Sequence, residues 1–176
     1  MTKTSDDDVS GIDELPSAKN ADDAVFTMNK TIVINGSARE QGNTGNAVAK
    51  LCPITEYEMI QLCNLKISQY SYNRALLDGD DFMKVVEKLL ASTTIVFATP
   101  VYWYAMSGHM KALFDRLTEL ITDKKHLGRK LKGKKCYLIA CGTDEFLPDG
   151  FEVPFKKTCD YFGIEFVKSY YLQTND

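Results

Sequence analysis

No stretch of the 176-residue chain approaches the ~20 uninterrupted apolar residues that a membrane-spanning helix requires. The amino terminus also lacks the basic and apolar regions of a secretory signal, so a soluble, cytoplasmic protein with no membrane partner is expected. Five cysteines are present (Cys52, Cys63, Cys136, Cys141 and Cys159), an odd number with no Cys-x-x-Cys among them. That argues against a disulfide framework and against a zinc or iron–sulfur site, and reduced thiols are expected. The two histidines, His109 and His126, have no visible ligand or catalytic partner, so no metal is expected.

Residues 1–28 hold seven acidic residues and two lysines, a net of −5, and the whole chain is −3, which leaves the remainder at +2. This acidic segment has few large apolar residues and could not repay the entropy of ordering, so it is expected to be a flexible tail ahead of one domain spanning 29–176. The remainder shows no Lys/Arg stripe along an expected element, so nucleic acid is not an expected partner.

From Lys30 onward, short β-rich runs alternate with helical patterns. Strands are expected at Thr31–Ile34, Glu56–Gln61, Thr94–Ala98, Lys135–Ala140 and Ile164–Leu172. "TTIVFA" and "KCYLIA" are almost continuously apolar, as suits strands covered on both faces in a parallel sheet. Helices are expected at Thr44–Leu51, Asp80–Ala91, Ser107–Thr122 and near Val153–Tyr161. Asp78, Asp80 and Asp81 suit the start of the second, and Gly163 suits the end of the last. In the third, Met106, Met110, Leu113, Phe114, Leu117, Leu120 and Ile121 share one face, with Lys111, Asp115, Arg116 and Glu119 mostly opposite. The expected fold is therefore α/β: a three-layer, doubly wound, flavodoxin-like sheet of five parallel strands in the order 2-1-3-4-5.

In such sheets ligands collect at the carboxyl ends of the strands, where strand order reverses. The loop after the first strand reads "NGSAREQGNTG". Gly36 and Gly42 allow a tight turn, Ser37 and Thr44 offer hydroxyls, Arg39 and Asn43 add donors, and a helix begins at the same place. A phosphate fits such a cradle, although an ordinary glycine-rich turn has the same ingredients. Asn43 stands where a P-loop needs lysine, and Gly36-Ser37-Ala38 lacks the second glycine of the dinucleotide fingerprint. No cysteine nucleophile ends the strand.

The third strand leads into "ATPVYWYAMSGHM", whose Tyr102, Trp103 and Tyr104 can stack on a planar ligand or pack on a neighbouring subunit. The fourth ends in "ACGTDE", where Gly142 permits close approach and Thr143 offers donors. Cys141 there reads as a redox thiol or, more commonly for an unpaired thiol, an apolar filler.

Through "NGSAREQGNTG", "TPVYWYAMSGHMKALFDRL" and "ACGTDE" the chain resembles the flavodoxin-like NAD(P)H-dependent FMN reductases, from about Lys30 to Leu172. The resemblance implies FMN as cofactor, NADPH or NADH as co-substrate, and a small-molecule electron acceptor such as a quinone, flavin, azo or nitro compound or ferric complex. It implies that Ser37, Arg39, Asn43 and Thr44 hold the FMN phosphate, that Pro100, Val101, Tyr102, Trp103 and Tyr104 line the isoalloxazine, and that Cys141, Gly142 and Thr143 flank its other side. It implies ping-pong turnover without an acid–base side chain, and a homodimer or homotetramer. Some relatives carry an iron–sulfur cysteine cluster after the second strand; here "KISQYSYNR" has tyrosines instead. An electron carrier of the flavodoxin type is the alternative, disfavoured by the +2 core.

Overall fold

The computed structural model describes residues 30–73 and 79–175. The acidic segment 1–28 and the proposed helix cap Asp78 lie outside the described residues.

Five parallel strands form the sheet: β1 (Thr31–Asn35), β2 (Glu58–Gln61), β3 (Thr94–Tyr102), β5 (Lys135–Gly142) and β6 (Glu165–Gln173), in the spatial order β2-β1-β3-β5-β6. The doubly wound order read from the sequence is the observed one. A sixth strand, β4 (Ala105–Met106), pairs antiparallel with the end of β3 and was not expected.

The sheet's two faces are unequally covered. On one, Ile32, Ile34, Ile95, Phe97, Leu138 and Ala140 meet α2 (Phe82–Ala91), α3 (Gly108–Arg116) and α5 (Val153–Phe162) in the larger core. Phe97, Phe114 and Phe155 close that core as a triangle of tilted rings with centroids 5.0, 5.0 and 6.0 Å apart, an arrangement favoured by the ring quadrupoles. On the other face Val33, Val96, Ala98, Ile139 and Cys141 pack under α1 (Asn43–Leu51). There is a single helix in this layer among the described residues, so Tyr137 and Tyr170 stack on each other at 6.5 Å where the sheet is only half covered. The cover on both faces expected for "TTIVFA" and "KCYLIA" is realised along β3 and along β5 from Leu138 to Cys141, while β6, for which it was not expected, is only partly buried.

The expected third helix is shorter than its hydrophobic period. Met106 lies in β4, Ser107 caps α3 by accepting from the Met110 N–H at 3.2 Å, and after Arg116 the chain tightens into a 3-10 turn over Leu117–Leu120. Arg116, expected on the solvent side, is instead 1% exposed. Its guanidinium donates to Asp80 at 2.8 Å, to Glu119 at 2.5 Å and to the Ser68 carbonyl at 3.2 Å, and it lies 4.5 Å from the Phe82 ring centre. A buried cation persists only when its charge and donors are matched in this way. Helix α4 (Lys125–Gly128), holding His126, was not among the expected helices.

Candidate functional site

At the carboxyl rim, β1 ends in Asn35, fully closed from water. Its Oδ1 accepts from the Ser37 N–H at 2.9 Å, and the Ser37 hydroxyl accepts from the Arg39 N–H at 3.2 Å, so the loop is folded by its own short polar side chains. The Asn35 Nδ2 has no hydrogen-bond partner among the described residues. A buried amide N–H left without a partner is costly, and one directly under a loop of donors fits a site that receives acceptor oxygens. Helix α1 then starts behind Gly42 with no side-chain cap and no acidic residue in its first turn, which leaves its positive end unneutralised. The residues therefore fit a phosphate. Ser37 and Thr44 place buried hydroxyls there, Asn43 is half-buried, and Arg39 is exposed.

Gly36 is small for a reason the sequence did not give. Its φ is not left-handed, but a Cβ there would lie 2.9 Å from Ser107 Oγ and 3.0 Å from Met110 Cβ. The Ser107 hydroxyl donates to the Gly36 carbonyl at 2.6 Å, while its N–H donates to Thr99 Oγ1 at 3.1 Å. One hydroxyl thus ties the first loop to the start of α3. Gly42 has an extended φ of 173° that any residue adopts, so the tight turn expected of it is not what places it there.

The second segment is a hairpin rather than a loop. β3 continues through Pro100, which is buried opposite Cys141, and pairs back through Val101 with Met106 and Tyr102 with Ala105. Its two tip residues, Trp103 (φ 48°) and Tyr104 (φ 62°), are both left-handed. A two-residue hairpin requires that conformation, yet it ordinarily takes Asn and Gly there. Two aromatics instead cost roughly 1–2 kcal/mol each. They are also 93% and 70% exposed, with Tyr102 at 50%. A strained, exposed aromatic tip is not explained by the fold alone.

The third loop is held from β6. The Tyr171 hydroxyl donates to the Asp144 carbonyl at 2.8 Å, Gln173 Nε2 to the Thr143 carbonyl at 3.3 Å, and the Thr174 N–H to the Gly142 carbonyl at 2.8 Å. A Cβ on Gly142 would lie 3.0 Å from the Tyr171 oxygen and 3.2 Å from Val101 Cβ, so the close approach made there is to protein. Cys141 is 2% exposed and 3.4 Å from Thr44 Oγ1. Burial pushes its thiol upward in pKa against the smaller opposing effect of Thr44, which suits a neutral packing thiol rather than a redox thiolate.

Hairpin and third loop together enclose a hollow of about 200 Å³ lined by Val101, Trp103, Tyr104, Gly142, Thr143 and Asp144. Ser107 joins the first loop to the second and Thr44 joins it to the third. All three segments singled out in the sequence therefore meet at one rim. Sequence reasoning missed Ser107, which joins the first loop to the start of α3, Asn35, which folds the first loop, and Tyr171, which holds the third loop to β6. A hydroxyl ahead of a helix was the one available signal, for Ser107.

The model of the NADPH-dependent FMN reductase family matches residues 29–168. A putative NAD(P)H-dependent FMN-containing oxidoreductase of Bacillus subtilis (strain 168) is 32% identical over 122 residues, covering 65% of this chain and 67% of that protein. Among solved structures, the Trp repressor binding protein of Bacillus subtilis superposes with a TM-score of 0.67 at 25% identity, covering 83% of this chain and 88% of its own. RosB, solved with 8-demethyl-8-formylriboflavin-5'-phosphate, superposes with a TM-score of 0.63 at 17% identity, covering 84% of this chain and 66% of its own.

Proposed function

Since the chain belongs to the NADPH-dependent FMN reductase family, we propose that its carboxyl rim binds FMN by its phosphate in the first loop and by its ring between the aromatic hairpin and the third loop. The observation that carries this reading is the convergence of an uncapped helix start, a strained aromatic tip and a clamped glycine lip through Ser107 and Thr44.

Bound FMN supplies hydride-accepting and hydride-donating chemistry. The protein's part is binding and orientation. Ser37, Thr44, Asn43, the Asn35 amide and the α1 N–H groups would hold the phosphate, with the exposed Arg39 supplying a charged donor from the solvent side. Val101, Tyr102, Trp103 and Tyr104 supply one wall for the ring, with Pro100 fixing the strand behind them and Gly142 and Thr143 forming the opposing lip. Cys141 packs beneath. No side chain at the rim is needed to move a proton during hydride transfer. The rim would leave NADPH or NADH and a quinone, flavin, azo, nitro or ferric acceptor to react at one shared site, which is the basis for expecting ping-pong turnover.

The reading extends to a homodimer or homotetramer whose contact includes the hairpin, supported by the exposure of Trp103 and Tyr104. Among the described residues no helix is long and apolar enough to cross a membrane, and a cytoplasmic location is part of the proposal, as is the division into segment 1–28 and domain 29–176.

Titration of the purified chain with FMN, followed by anaerobic addition of NADPH or NADH alone, tests the function. Stoichiometric binding and bleaching without a partner protein are expected. Bleaching only through an added reductase points to a carrier instead, and no FMN binding defeats the proposal. Ser37→Ala with Thr44→Ala is expected to weaken FMN binding by roughly 1–3 kcal/mol, the range for hydrogen bonds to charged groups.

A further inference from the structure

The opposite, amino-terminal edge of the sheet carries a charge feature that the rim does not use. Lys124 to Lys135 reads "KKHLGRKLKGKK", six lysines and one arginine in twelve residues without an acid. α4 and the turn over Arg129–Leu131 fold this run ahead of β5. Two of the cations are committed: Lys124 Nζ pairs with Glu119 at 2.8 Å, and Lys134 Nζ donates to the Leu90 carbonyl at 2.9 Å and to that of Ser92. Lys125, Arg129, Lys130, Lys132 and Lys135 are exposed and form no ion pair with any described residue. No Lys/Arg stripe was expected along the elements read from the sequence, and this run lies on α4 and the turn after it, which were not among them.

Beside these cations lies a hollow of about 510 Å³ with an apolar wall that includes Ile121, Tyr161 and Phe162. Lys125, Arg129 and Lys132 border it, and Asp160 is the single acid in its lining. Tyr161 is 70% exposed. A solvated charge run needs no such apolar neighbour; a site for a segment that is both acidic and apolar does.

The chain itself supplies such a segment close by. The Lys30 carbonyl accepts from the Thr93 N–H at 2.9 Å, and the Thr93 carbonyl accepts from the Lys135 N–H at 3.0 Å. Lys30 and Lys135 are thus separated by two strand spacings, roughly 10 Å. Residues 1–28, which join the sheet through Lys30, carry Asp6, Asp7, Asp8, Asp13, Glu14, Asp22 and Asp23 against Lys3 and Lys19, with Val9, Ile12 and Leu15 among the acids. Five excess negative charges stand against five cations that form no ion pair with a described residue. A tether of this length gives a coil reach on the order of 30 Å and an effective concentration of about a millimolar, so weak contacts suffice.

We infer that the acidic segment 1–28 docks on the basic face of its own molecule, with Asp and Glu against Lys125, Arg129, Lys130, Lys132 and Lys135 and with apolar side chains from Val9 to Leu15 in the hollow. Docked there, it shields the cations from other polyanions. Because the charges are solvent-exposed and the Debye length is about 8 Å at physiological salt, the contact is salt-sensitive.

Zero-length carbodiimide coupling of the full chain, in an equal mixture of isotopically light and heavy protein, tests this directly. Links from residues 6–23 to Lys125, Lys130, Lys132 and Lys135 within one molecule are expected, falling at least fivefold in 1 M NaCl and in Arg129→Gln with Lys132→Gln for the lysines that remain. Links spread evenly over Lys50, Lys111 and Lys168, or found mainly between light and heavy chains, overturn it. A second arm measures a 20-nucleotide single-stranded DNA. Converting the seven acids to their amides is expected to tighten DNA binding at least tenfold, whereas equal affinity in both forms shows an open polyanion surface and overturns the proposal. Neither arm involves FMN, so its failure is separable from that of the reductase reading.

Discussion

Thr44 Oγ1 lies 3.4 Å from Cys141 Sγ, both groups closed from water, so that the first turn of α1 rests on the end of β5. Cys52 and Cys63 are half-buried, whereas Cys136 and Cys159 are buried like Cys141. Burial raises the Cys141 pKa, and the neighbouring Cys159 and burial raise that of Cys136 further, so neither offers a thiolate near neutrality. Iodoacetamide at pH 7.5 is expected to label Cys63 and Cys52 first and Cys141 at least tenfold more slowly, as followed by peptide mass spectrometry. Rapid labelling of Cys141 would show an open, activated thiol at the rim.

The two glycines of the first loop are expected to respond differently to a methyl group. Gly36→Ala drives its Cβ against Ser107 and Met110, a clash of the kind that costs roughly 1–3 kcal/mol. Gly42→Ala meets nothing nearer than Arg39 Nε at 3.9 Å in a backbone any residue adopts. Urea unfolding is expected to separate them, with Gly42→Ala close to the parent. Equal losses would contradict the packing argument.

At the hairpin tip, stability and ligand binding should move in opposite directions. Trp103→Asn with Tyr104→Gly installs the residues that a left-handed two-residue turn favours, and a gain of roughly 1–2 kcal/mol is expected from relieved strain. The same change removes two exposed rings, so FMN affinity is expected to fall about tenfold or more, reflecting two lost aromatic contacts. A stability loss in the double variant would mean that the aromatics are held by packing within the chain.

The Arg116 network sets an acid limit on the fold. For both Asp80 and Glu119 burial favours the protonated acid, but hydrogen bonds and ion pairs outweigh it: Arg116, Ser68 and the Phe82 N–H for Asp80, Lys124 and Arg116 for Glu119. Both carboxylates are thereby held below their ordinary range. A depressed folded pKa contributes stability above the unfolded value of about 4 and loses it as pH falls through the folded value. Urea midpoints are expected to hold from pH 8 to about 5 and decline below 4. Arg116→Ala takes the counter-ion from the side chain of Asp80 and leaves Glu119 with Lys124 alone, and is expected to cost about 3–5 kcal/mol near neutrality, with a shallower or reversed slope on the acid side. A parallel acid profile in both proteins would show that the network does not control it.

Local sequence determined the parallel strands, their doubly wound order and the three rim segments, because apolar runs, helical periods and glycine–hydroxyl loops are properties of neighbouring residues. Reading "NGSAREQGNTG" was enough to expect an anion at the start of α1. Tertiary structure decided what depends on contacts between distant residues. It buried Arg116 against the distant Asp80 and Ser68 carbonyl as well as its neighbour Glu119, turned an aromatic loop into a strained hairpin, gave Gly36 its reason in Ser107 and Met110, and spread over the sheet's far edge five cations that form no ion pair with a described residue. Periodicity says which face of an element is apolar; only packing says what stands opposite it, and burial, strain and charge pairing follow from that neighbour.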